Sequence, residues 1–379
     1  MHHDHLIPAV DAALQLVSHG ALASIVVTPT YAARLHPAVE SSSLPVRLVE
    51  VPLDLAGTDD VGQIPLDEEA AYLLAASRLR DPLEWHLRAH APPATCIVSD
   101  ICHPWTAGLA AGLGVPRLSF LGMSAYCLMC LRTEHHAAAM HNAYAAMDPY
   151  WHFMPEEPVE VKMPTAAPRV PPAAFLREAG IRRVEIGLGL EASGHPFIWV
   201  VSSSPEKADP ETDQEVDRFL EELEARVAGR GLLIRGWSPQ LLVLSHASVG
   251  GVVTHCGWNS VMEAVAAGLP MVTWPHLAHQ FLNQTLAVHS MGTGVGVGVE
   301  WSEEEGVEVA VVERGVVEEA VRSIMGGGDE AMERRRRAAT LAATAREAVR
   351  EGGSVFINRR RLVKHYQALM PEDASTSSP

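Results

Sequence analysis

A short stretch in the second half of the chain combines an apolar run, a glycine and polar side chains in an order that suits an anion. The run 251–254 predicts a strand that delivers His255. Gly257 then turns the chain into a helix that is expected to begin near Asn259 and Ser260. The N-terminus of a helix offers unpaired backbone N–H groups and the positive end of the helix dipole. Because His255 can also donate to a phosphate oxygen, we predict that this turn binds phosphate.

Two nearby side chains could contact the rest of a nucleotide. Glu263 lies one turn further on, where its carboxylate could accept two ribose hydroxyls, and Trp237 offers a flat surface for a base. Each residue has a structural alternative, since Ser260 and Glu263 also fit the capping box that starts many helices. Trp237 and Trp258 could be core aromatics, and His255 could be a satisfied strand-end histidine. The joint spacing of the set favours a ligand.

A histidine and an aspartate in the first half could form a general base. His5 stands just before a predicted helix that has Pro8 in its first turn. Asp100 ends a predicted strand, and sites in α/β proteins lie at the carboxyl ends of strands. A histidine oriented by a carboxylate can take a proton from a hydroxyl near neutral pH. The alternatives are a metal-binding cluster of His2, His3 and His5, and a strand-end cap for Asp100.

Short β-branched runs alternate with helix-length segments along the chain. Strands separated in this way predict right-handed βαβ units and parallel sheets. We therefore expect an α/β fold of two doubly wound domains, with ligands at the carboxyl ends of the strands. The predicted strands are Ala23–Thr28, Val46–Val51, Thr95–Asp100, Pro116–Phe120, Pro196–Val201, Leu232–Ile234, Gly251–His255, Pro270–Trp274 and Val295–Val299.

The length of 379 residues is comfortable for two domains. A stretch rich in Pro, Glu and Ala has neither helical nor strand periodicity, which predicts a linker at 155–173 between domains at 1–154 and 174–370. A long helix is predicted over 330–351, with the arginine run 334–337 on its solvated face. The Ser/Thr/Pro-rich tail 371–379 is predicted to be disordered.

Charge and cysteine usage exclude several function classes. A formal charge of −17 argues against nucleic acid as a partner, and no apolar run is long enough to insert into a membrane. The first residues lack a signal-peptide pattern. Five cysteines show no metal-site spacing, and Cys127 and Cys130 are interpreted as buried thiols. The sequence predicts a reduced, cytoplasmic protein that holds no metal.

Residues 237–280 resemble, over their whole length, the signature box of plant secondary-product glycosyltransferases. The flanking runs 186–193 and 231–236 extend the likeness. The resemblance implies a GT-B fold, in which two Rossmann-like domains face a cleft, and a UDP-sugar donor. The donor-binding residues that it implies are Trp237, Ser238, Gln240, His255, Gly257, Trp258, Asn259, Ser260, Glu263, His279 and Gln280.

The resemblance also assigns roles within that set. It places Trp237 on uracil and has Gln240 and Glu263 hold the ribose. It implies that three residues bind the diphosphate and that three others contact the sugar. The diphosphate residues are His255, Asn259 and Ser260, and the sugar residues are Trp258, His279 and Gln280.

Two positions differ from the family pattern. His279 stands where the family usually has a carboxylate that grips sugar hydroxyls, while Gln280 is the residue of glucose-using members. His5 and Asp100 match the catalytic pair of the family, although Asp4 stands where glycine is usual.

The resemblance further implies missing parts. Almost nothing precedes His5, where the family has a strand. The Pro-rich stretch is followed directly by the run that starts at Ile186, and the family's first strand of the second domain is missing between them. The N-terminal domain and the linker region are therefore expected to be incomplete.

The function expected from the resemblance is transfer of a sugar, with glucose favoured, from UDP-sugar to a hydroxyl of a small apolar plant metabolite such as a flavonoid. Transfer is expected to invert the sugar, with UDP-glucose as co-substrate, no cofactor and a monomeric enzyme. His103 and Trp105 are expected to line the acceptor pocket, whereas Met123, Tyr126 and Met129 could line it or belong to the core. The alternative is an inactive UDP-sugar-binding remnant, and a nicotinamide oxidoreductase is excluded by the lack of a G-x-G-x-x-G run after a strand.

Overall fold

The structure is a computed structural model, and it describes residues 3–53, 59, 75–100, 102–120, 122, 184–201, 210–236, 238–276, 279–298 and 312–369. These residues form two compact units. The first unit comprises the described residues up to 122 and from 347 onward, and the second comprises those from 184 to 346.

Helices and strands alternate from the start of the chain to residue 120. A 3₁₀ turn, Ala76–Leu79, precedes the third helix. Strand β1 pairs in parallel with β2, and β3 pairs in parallel with β4. The elements are α1 (His3–Ser18), β1 (Ala23–Val27), α2 (Pro29–Ser41), β2 (Val46–Glu50), α3 (Arg80–Ala89), β3 (Ile97–Asp100), α4 (Thr106–Leu113) and β4 (Arg117–Phe120).

The same alternation continues from residue 184. Strand β5 pairs with β6, and β7, β8 and β9 form a three-stranded sheet, again with every pair parallel. The elements are α5 (184–193), β5 (Phe197–Val201), α6 (Pro210–Arg226), β6 (Gly231–Arg235), α7 (Gln240–Leu244), β7 (Val252–Thr254), α8 (Trp258–Ala267), β8 (Met271–Thr273), α9 (His279–Thr285), β9 (Gly294–Gly296), α10 (Arg314–Met325), α11 (Asp329–Val349) and α12 (Ser354–Gln367).

All nine predicted strands are present, and none starts more than two residues from its predicted position. The prediction of parallel βαβ units is confirmed, as is the long helix near 330–351. The predicted linker and tail lie outside the described residues, as do Cys127, Cys130, Met123, Tyr126 and Met129. Among the helices that the structure describes, none is long and apolar enough to cross a membrane.

The core of the first unit forms where α1 and α2 cover the β1–β2 pair. Leu6 and Val10 of α1 pack with Val27 of β1 and with Tyr31 and Leu35 of α2, and all five are buried. This cluster fixes the first turns of α1, which include His5, the residue that precedes Leu6. Apolar packing therefore fixes the backbone position of His5.

The core of the second unit is held by helices α5 and α10, which approach each other very closely. A Cβ atom at Gly189 would overlap Val317, and a Cβ at Gly187 would overlap Phe219 and Leu223 of α6. The two glycines therefore let α5 sit against two helices at once. This contact gives a structural reason for the glycines in the run 186–193.

The last helix, α12, belongs to the first unit. Arg359 Nη1 donates to Gln15 Oε1 at 2.7 Å, Gln367 Nε2 donates to the Gly20 carbonyl at 2.8 Å, and Phe356 contacts the ring of His19. The predicted second domain at 174–370 included α12, and the structure places this helix with the opposite end of the chain. The two hydrogen bonds join residues more than 340 positions apart, which no local pattern in the sequence reveals.

The arginine run at 334–337 is only partly a solvated face. Arg335 is half-buried and donates to the carbonyls of Ile324 and Gly326 at 2.6 and 2.7 Å, which are orphan acceptors at the C-terminal end of α10. Arg336 next to it is exposed and pairs with Glu333 on its own helix. Arg335 thus fastens α11 to the end of α10.

We expect Arg335→Ala to lower the free energy of unfolding by about 1–2 kcal/mol, because it removes two charge-assisted hydrogen bonds from partly buried carbonyls. The matched control, Arg336→Ala, should change it by no more than about 0.5 kcal/mol, since an exposed pair contributes little. Urea unfolding of both variants measures the difference. Equal losses would show that Arg335 has no special role at the helix end.

Candidate functional site

The first candidate site is a histidine–aspartate pair in the first unit. The Nδ1 atom of His5 lies 2.7 Å from Oδ2 of Asp100, across 95 residues of sequence. The Asp100 side chain is 2% exposed and that of His5 is 32% exposed. When Nδ1 carries a proton it donates to the carboxylate, and Nε2 then carries the lone pair that a base needs. The structure therefore brings together the two residues predicted to be catalytic.

The prediction that His5 precedes a helix is wrong. Helix α1 begins at His3, so His5 lies inside its first turn and Pro8 lies one turn further along. Pro8 is the sixth residue of α1 and lies inside the helix, where its ring removes one backbone N–H donor. In the alternative of a terminal metal-binding cluster, His5 would act together with His2 and His3. In the structure, the Nδ1 atom of His5 lies 2.7 Å from Asp100 instead.

Buried hydrogen bonds hold Asp100 in its ionised form. Its Oδ1 accepts the Cys102 N–H at 2.8 Å, and its carbonyl accepts Arg117 Nη2 at 3.2 Å. Burial alone would raise the pKa of this carboxyl, but the hydrogen bond and charge of His5 and the Cys102 N–H outweigh it. The pKa of Asp100 is therefore held below its usual value, and the carboxylate can orient and stabilise a protonated His5.

Two aromatic side chains beside this pair present buried ring nitrogens. Nδ1 of His103 and Nε1 of Trp105 are both buried and have no hydrogen-bond partner among the described residues. Burial lowers the pKa of His103 to about 4, although Asp100 pulls it the other way, so this imidazole is neutral near pH 7. The sequence predicts that both residues line an acceptor pocket.

Three side chains at this site could supply ligand atoms to a metal ion. Ligand atoms of His5, Asp100 and Cys102 all lie within 4.8 Å of one another. The sequence predicts no metal, and the hydrogen bonds within this group account for the closeness of its members.

The second candidate site is the turn between β7 and α8. Cys256 is fully buried and has a φ of 64°, a left-handed conformation that is unusual for a residue other than glycine. Its N–H donates to Thr254 Oγ1 at 3.1 Å, and its carbonyl accepts the buried Asn283 amide at 2.9 Å. These bonds maintain the strained backbone, as is common next to functional groups. Burial raises the pKa of the Cys256 thiol to about 12, so this thiol takes no part as a nucleophile.

Helix α8 begins at Trp258, one or two residues earlier than predicted. Gly257 is the N-cap, and no side chain caps the helix. The capping-box alternative for Ser260 and Glu263 is therefore wrong, because Ser260 lies inside the helix. The first N–H groups of α8, from Trp258 to Ser260, thus lie at the end of β7, as phosphate binding requires.

The ring of His255 lies close to Gly257. A Cβ atom at 257 would overlap Nε2 of His255, so the exposed imidazole lies directly over the glycine. The ring therefore lies beside the helix N-terminus, where an anion would meet both the imidazole and the backbone N–H groups.

The predicted ribose ligands are joined to each other. Nε2 of Gln240, at the start of α7, donates to Oε2 of Glu263 in α8. The bond fixes the Glu263 carboxylate at a defined place one turn from the helix start. The structure therefore links two residues that are 23 positions apart in the sequence.

Four predicted donor residues line one cavity of the second unit, whose volume is about 1130 Å³. The four are Ser238, Gln240, His255 and Ser260. Gln280 accepts the His276 N–H at 2.8 Å, and His279 is the first residue of α9. Trp237 and the side chain of His279 lie outside the described residues. Gly257, Trp258 and Asn259 lie at the turn described above.

Sequence reasoning missed three residues that hold the two sites in place. Asn283 supports the strained turn, Arg117 bonds to the Asp100 carbonyl and to Thr106 Oγ1, and His276 binds Gln280 through its N–H. The sequence offers no clear signal for Asn283, because its helix is rich in other polar residues.

Comparisons with known proteins agree with this geometry. The sequence profile of the family described as UDP-glucoronosyl and UDP-glucosyl transferase matches residues 181–322. The chain is 32% identical over 464 residues to UDP-glycosyltransferase 73C6 of Arabidopsis thaliana, covering 93% of this chain and 92% of that protein. Because 464 exceeds the 379 residues present here, the relative has internal positions without a counterpart in this chain.

Solved structures show the same architecture. UGT73P12 of Glycyrrhiza uralensis, complexed with glycyrrhetinic acid 3-O-monoglucuronide, has a TM-score of 0.75 and 26% identity, covering 96% of this chain and 94% of that one. Os79 from O. sativa, in complex with UDP, has a TM-score of 0.70 over 96% of this chain and 98% of its own. Its identity of 22% makes that likeness one of fold.

The depressed pKa of Asp100 predicts a pH dependence of stability. A carboxyl whose folded pKa lies below its unfolded value, about 3.9, stabilises the fold above that value and loses the effect as pH falls through the folded pKa. Asp100→Asn should therefore be less stable than the natural chain by about 1–3 kcal/mol above pH 5, with a gap that shrinks below pH 4. Thermal unfolding at stepped pH tests this, with Asp217→Asn on the exposed face of α6 as the control. A gap that stays constant down to pH 3 would contradict the assignment.

Glu263→Ala should weaken UDP binding by about 1.5–3 kcal/mol, because a charge-assisted hydrogen bond to the ribose is lost. Calorimetric titration measures it, with Glu319→Ala, an exposed carboxylate of α10, as the charge-matched control. An unchanged affinity together with a lowered melting temperature would make Glu263 a structural residue only.

Proposed function

This chain belongs to the plant UDP-glycosyltransferase family, and from that premise we propose that it transfers glucose from UDP-glucose to a hydroxyl of a small apolar metabolite. It has the GT-B fold and is a glycosyltransferase.

The observation that carries the proposal is the 2.7 Å contact between His5 and the buried Asp100. The ionised Asp100 holds the proton of His5 on Nδ1 and stabilises the imidazolium that forms when Nε2 removes the acceptor proton. The deprotonated oxygen attacks the anomeric carbon of the sugar, and the carbon–diphosphate bond breaks on the opposite face. This single displacement inverts the configuration and leaves UDP as the product.

The second unit supports the departure of the diphosphate. In the proposal, the N-terminus of α8 and the imidazole of His255 stabilise the negative charge that develops on the leaving group. The Gln240–Glu263 pair holds the ribose, and the strained turn at Cys256 keeps these groups in place before the substrate arrives. The site works through hydrogen bonds and the helix dipole, and we propose no metal or cofactor.

Glucose is proposed because Gln280 occupies the position of the family's glucose-using members. Its amide oxygen already accepts the His276 N–H, so the amide group has a fixed orientation. His279 begins α9 beside it, in place of the usual carboxylate. One imidazole accepts fewer hydrogen bonds than a carboxylate, so we propose weaker discrimination between UDP-sugars than a carboxylate would give.

The acceptor is proposed to be a flat, hydroxylated apolar compound of the flavonoid type. Two buried ring nitrogens, on His103 and Trp105, need partners, and an acceptor hydroxyl could supply them. A neutral His103 suits an uncharged ligand. We propose a monomer in the cytoplasm, and the reduced thiols of Cys96 and Cys256 support the cytoplasmic location.

A second candidate function is UDP-sugar binding without turnover. It is favoured by apolar strand residues that remain uncovered, since Ile198 and Val200 are 46% and 40% exposed on β5 and Leu232 is exposed on β6. Covered sheets are usual for parallel strands. A chain that lacks such cover could keep its donor turn and lose the rest of the catalytic geometry.

One experiment separates the two functions. UDP binding is measured by calorimetry, and transfer is measured by product release from UDP-glucose, UDP-galactose and UDP-glucuronic acid with a flavonol acceptor. We expect UDP to bind and glucose to be transferred, and we expect His5→Ala to abolish transfer by at least about a hundredfold while leaving UDP affinity unchanged.

The controls decide the outcome. His36→Ala, which removes an exposed histidine of α2, should leave transfer intact. Binding of UDP without transfer to any acceptor supports the inactive remnant. If UDP does not bind at millimolar concentration, both candidate functions are wrong.

A further inference from the structure

The two sheets of the second unit leave two unpaired strand edges on one cavity. β5 pairs only with β6, and β7 pairs only with β8, among the described residues. Residues 196–200, along β5, and 250–254, along β7, line the same cavity of about 1130 Å³. That volume exceeds the roughly 300–1,000 Å³ typical of small-molecule pockets. We call the part of this cavity between β5 and β7 the strand slot.

The backbone groups that face the strand slot can be identified from the existing ladders. The Phe197 N–H bonds to the Arg230 carbonyl on the β6 side, so alternate residues Ile198 and Val200 direct their N–H and C=O groups to the other edge. On β7 the Val252 N–H bonds to the Pro270 carbonyl on the β8 side, so Val253 faces the slot. Each edge thus presents donors and acceptors at the spacing of a parallel ladder.

A shared core keeps the two edges apart. Phe197 and Trp199 of β5 and Val253 of β7 pack against the same cluster, which includes Val317 and Ile324 of α10. The sheets are therefore two parts of one layer over common helices. Rigid packing of this kind prevents the edges from closing on each other.

The order of the strands indicates that the strand slot lies where a further strand would fit. The chain winds outward from β5 to β6 on one side and from β7 through β8 to β9 on the other. A doubly wound sheet with this order has one further strand at its centre, between the two halves. The alignment of 464 residues with a chain of 379 shows that the relative has internal residues that this chain lacks.

The lining defines the chemistry of an occupant. Its apolar residues include Ile186, Leu190, Val321 and Met325, and among the described lining residues Arg230 alone is always charged. A central parallel strand is buried on both faces and is a continuous apolar run. The carboxyl end of the slot opens on His255 and Ser260 of the donor turn.

We propose that the strand slot binds an extended apolar peptide of about five residues as an added parallel strand between β5 and β7. The peptide spans about 17 Å, runs in the direction of its neighbours and brings its carboxyl end to the donor turn. Peptide and UDP binding are therefore coupled, and each raises the affinity of the other.

The test uses a fluorescent synthetic peptide, acetyl-Lys-Val-Ile-Val-Val-Ser-amide, and fluorescence anisotropy with the full chain. The control peptide has the same side chains with N-methyl groups on the central amides, which removes ladder donors. We expect binding of the first peptide at least about tenfold tighter than that of the second, and tighter binding when UDP is present.

A pair of protein variants tests the edge itself. Val200→Pro removes one slot-facing N–H at an exposed side chain, whereas Val200→Ala keeps it. Binding should fall at least about tenfold in the proline variant relative to the alanine variant. Circular dichroism and UDP affinity establish that both variants fold, and Met332→Lys, an exposed apolar residue of α11, controls for general surface effects.

Three results would overturn the proposal. The first is equal binding of the plain and N-methylated peptides, and the second is equal binding of the peptide by the two Val200 variants. The third is a dimer of this chain that dissociates in the Val200→Pro variant, because a second copy would then be the occupant of the slot. Peptide binding is measured without UDP, so its failure is separate from a failure of UDP binding or of glucose transfer.

Discussion

The donor side of this protein depends on one apolar core that supports two sheets at once. Helix α10 supplies Val317 and Ile324 to this core, and residues of β5, β7, β8 and β9 all pack against it. Gly189 allows α5 to close on Val317, which seals the core from the other side. Because no ladder joins β5 to β7 among the described residues, burial of apolar surface holds the donor turn in place. Loss of a few methyl groups here would therefore displace a site that they do not touch.

Electrostatics are arranged differently in the two candidate sites. In the first unit a full negative charge is buried, and Asp100 is tolerated there because His5 and backbone N–H groups satisfy it. In the second unit the positive potential comes from partial charges at the start of α8, and the supporting groups are the neutral amides of Gln240 and Asn283. The base thus depends on a buried carboxylate, whereas the anion site depends on the partial charges of a helix start. Each site is supported by its own neighbouring residues.

Much of this could be predicted from local sequence, and the failures have common causes. The strands were predicted because β-branched runs bounded by Gly or Pro have few alternatives, and the pairing of His5 with Asp100 followed from resemblance and strand-end position. The start of α8 was misplaced because Ser260 and Glu263 satisfy the capping pattern, yet Gly257 lies under His255 and takes the N-cap. The roles of Arg335 and of α12 could not be predicted, since both depend on carbonyls and helix faces far away in sequence.

The assignment of α12 to the first unit has a consequence for how the chain is made. The described residues of that unit end at 122 and resume at 347, so the ribosome synthesises the whole second unit in between. At typical rates this interval lasts roughly 10–45 s, long enough for the second unit to fold by itself. Helix α1, which carries His5, is thus among the first parts to emerge and among the last to gain all its neighbours. The unit that contains His5 and Asp100 can therefore complete its packing only after the last helix has been synthesised.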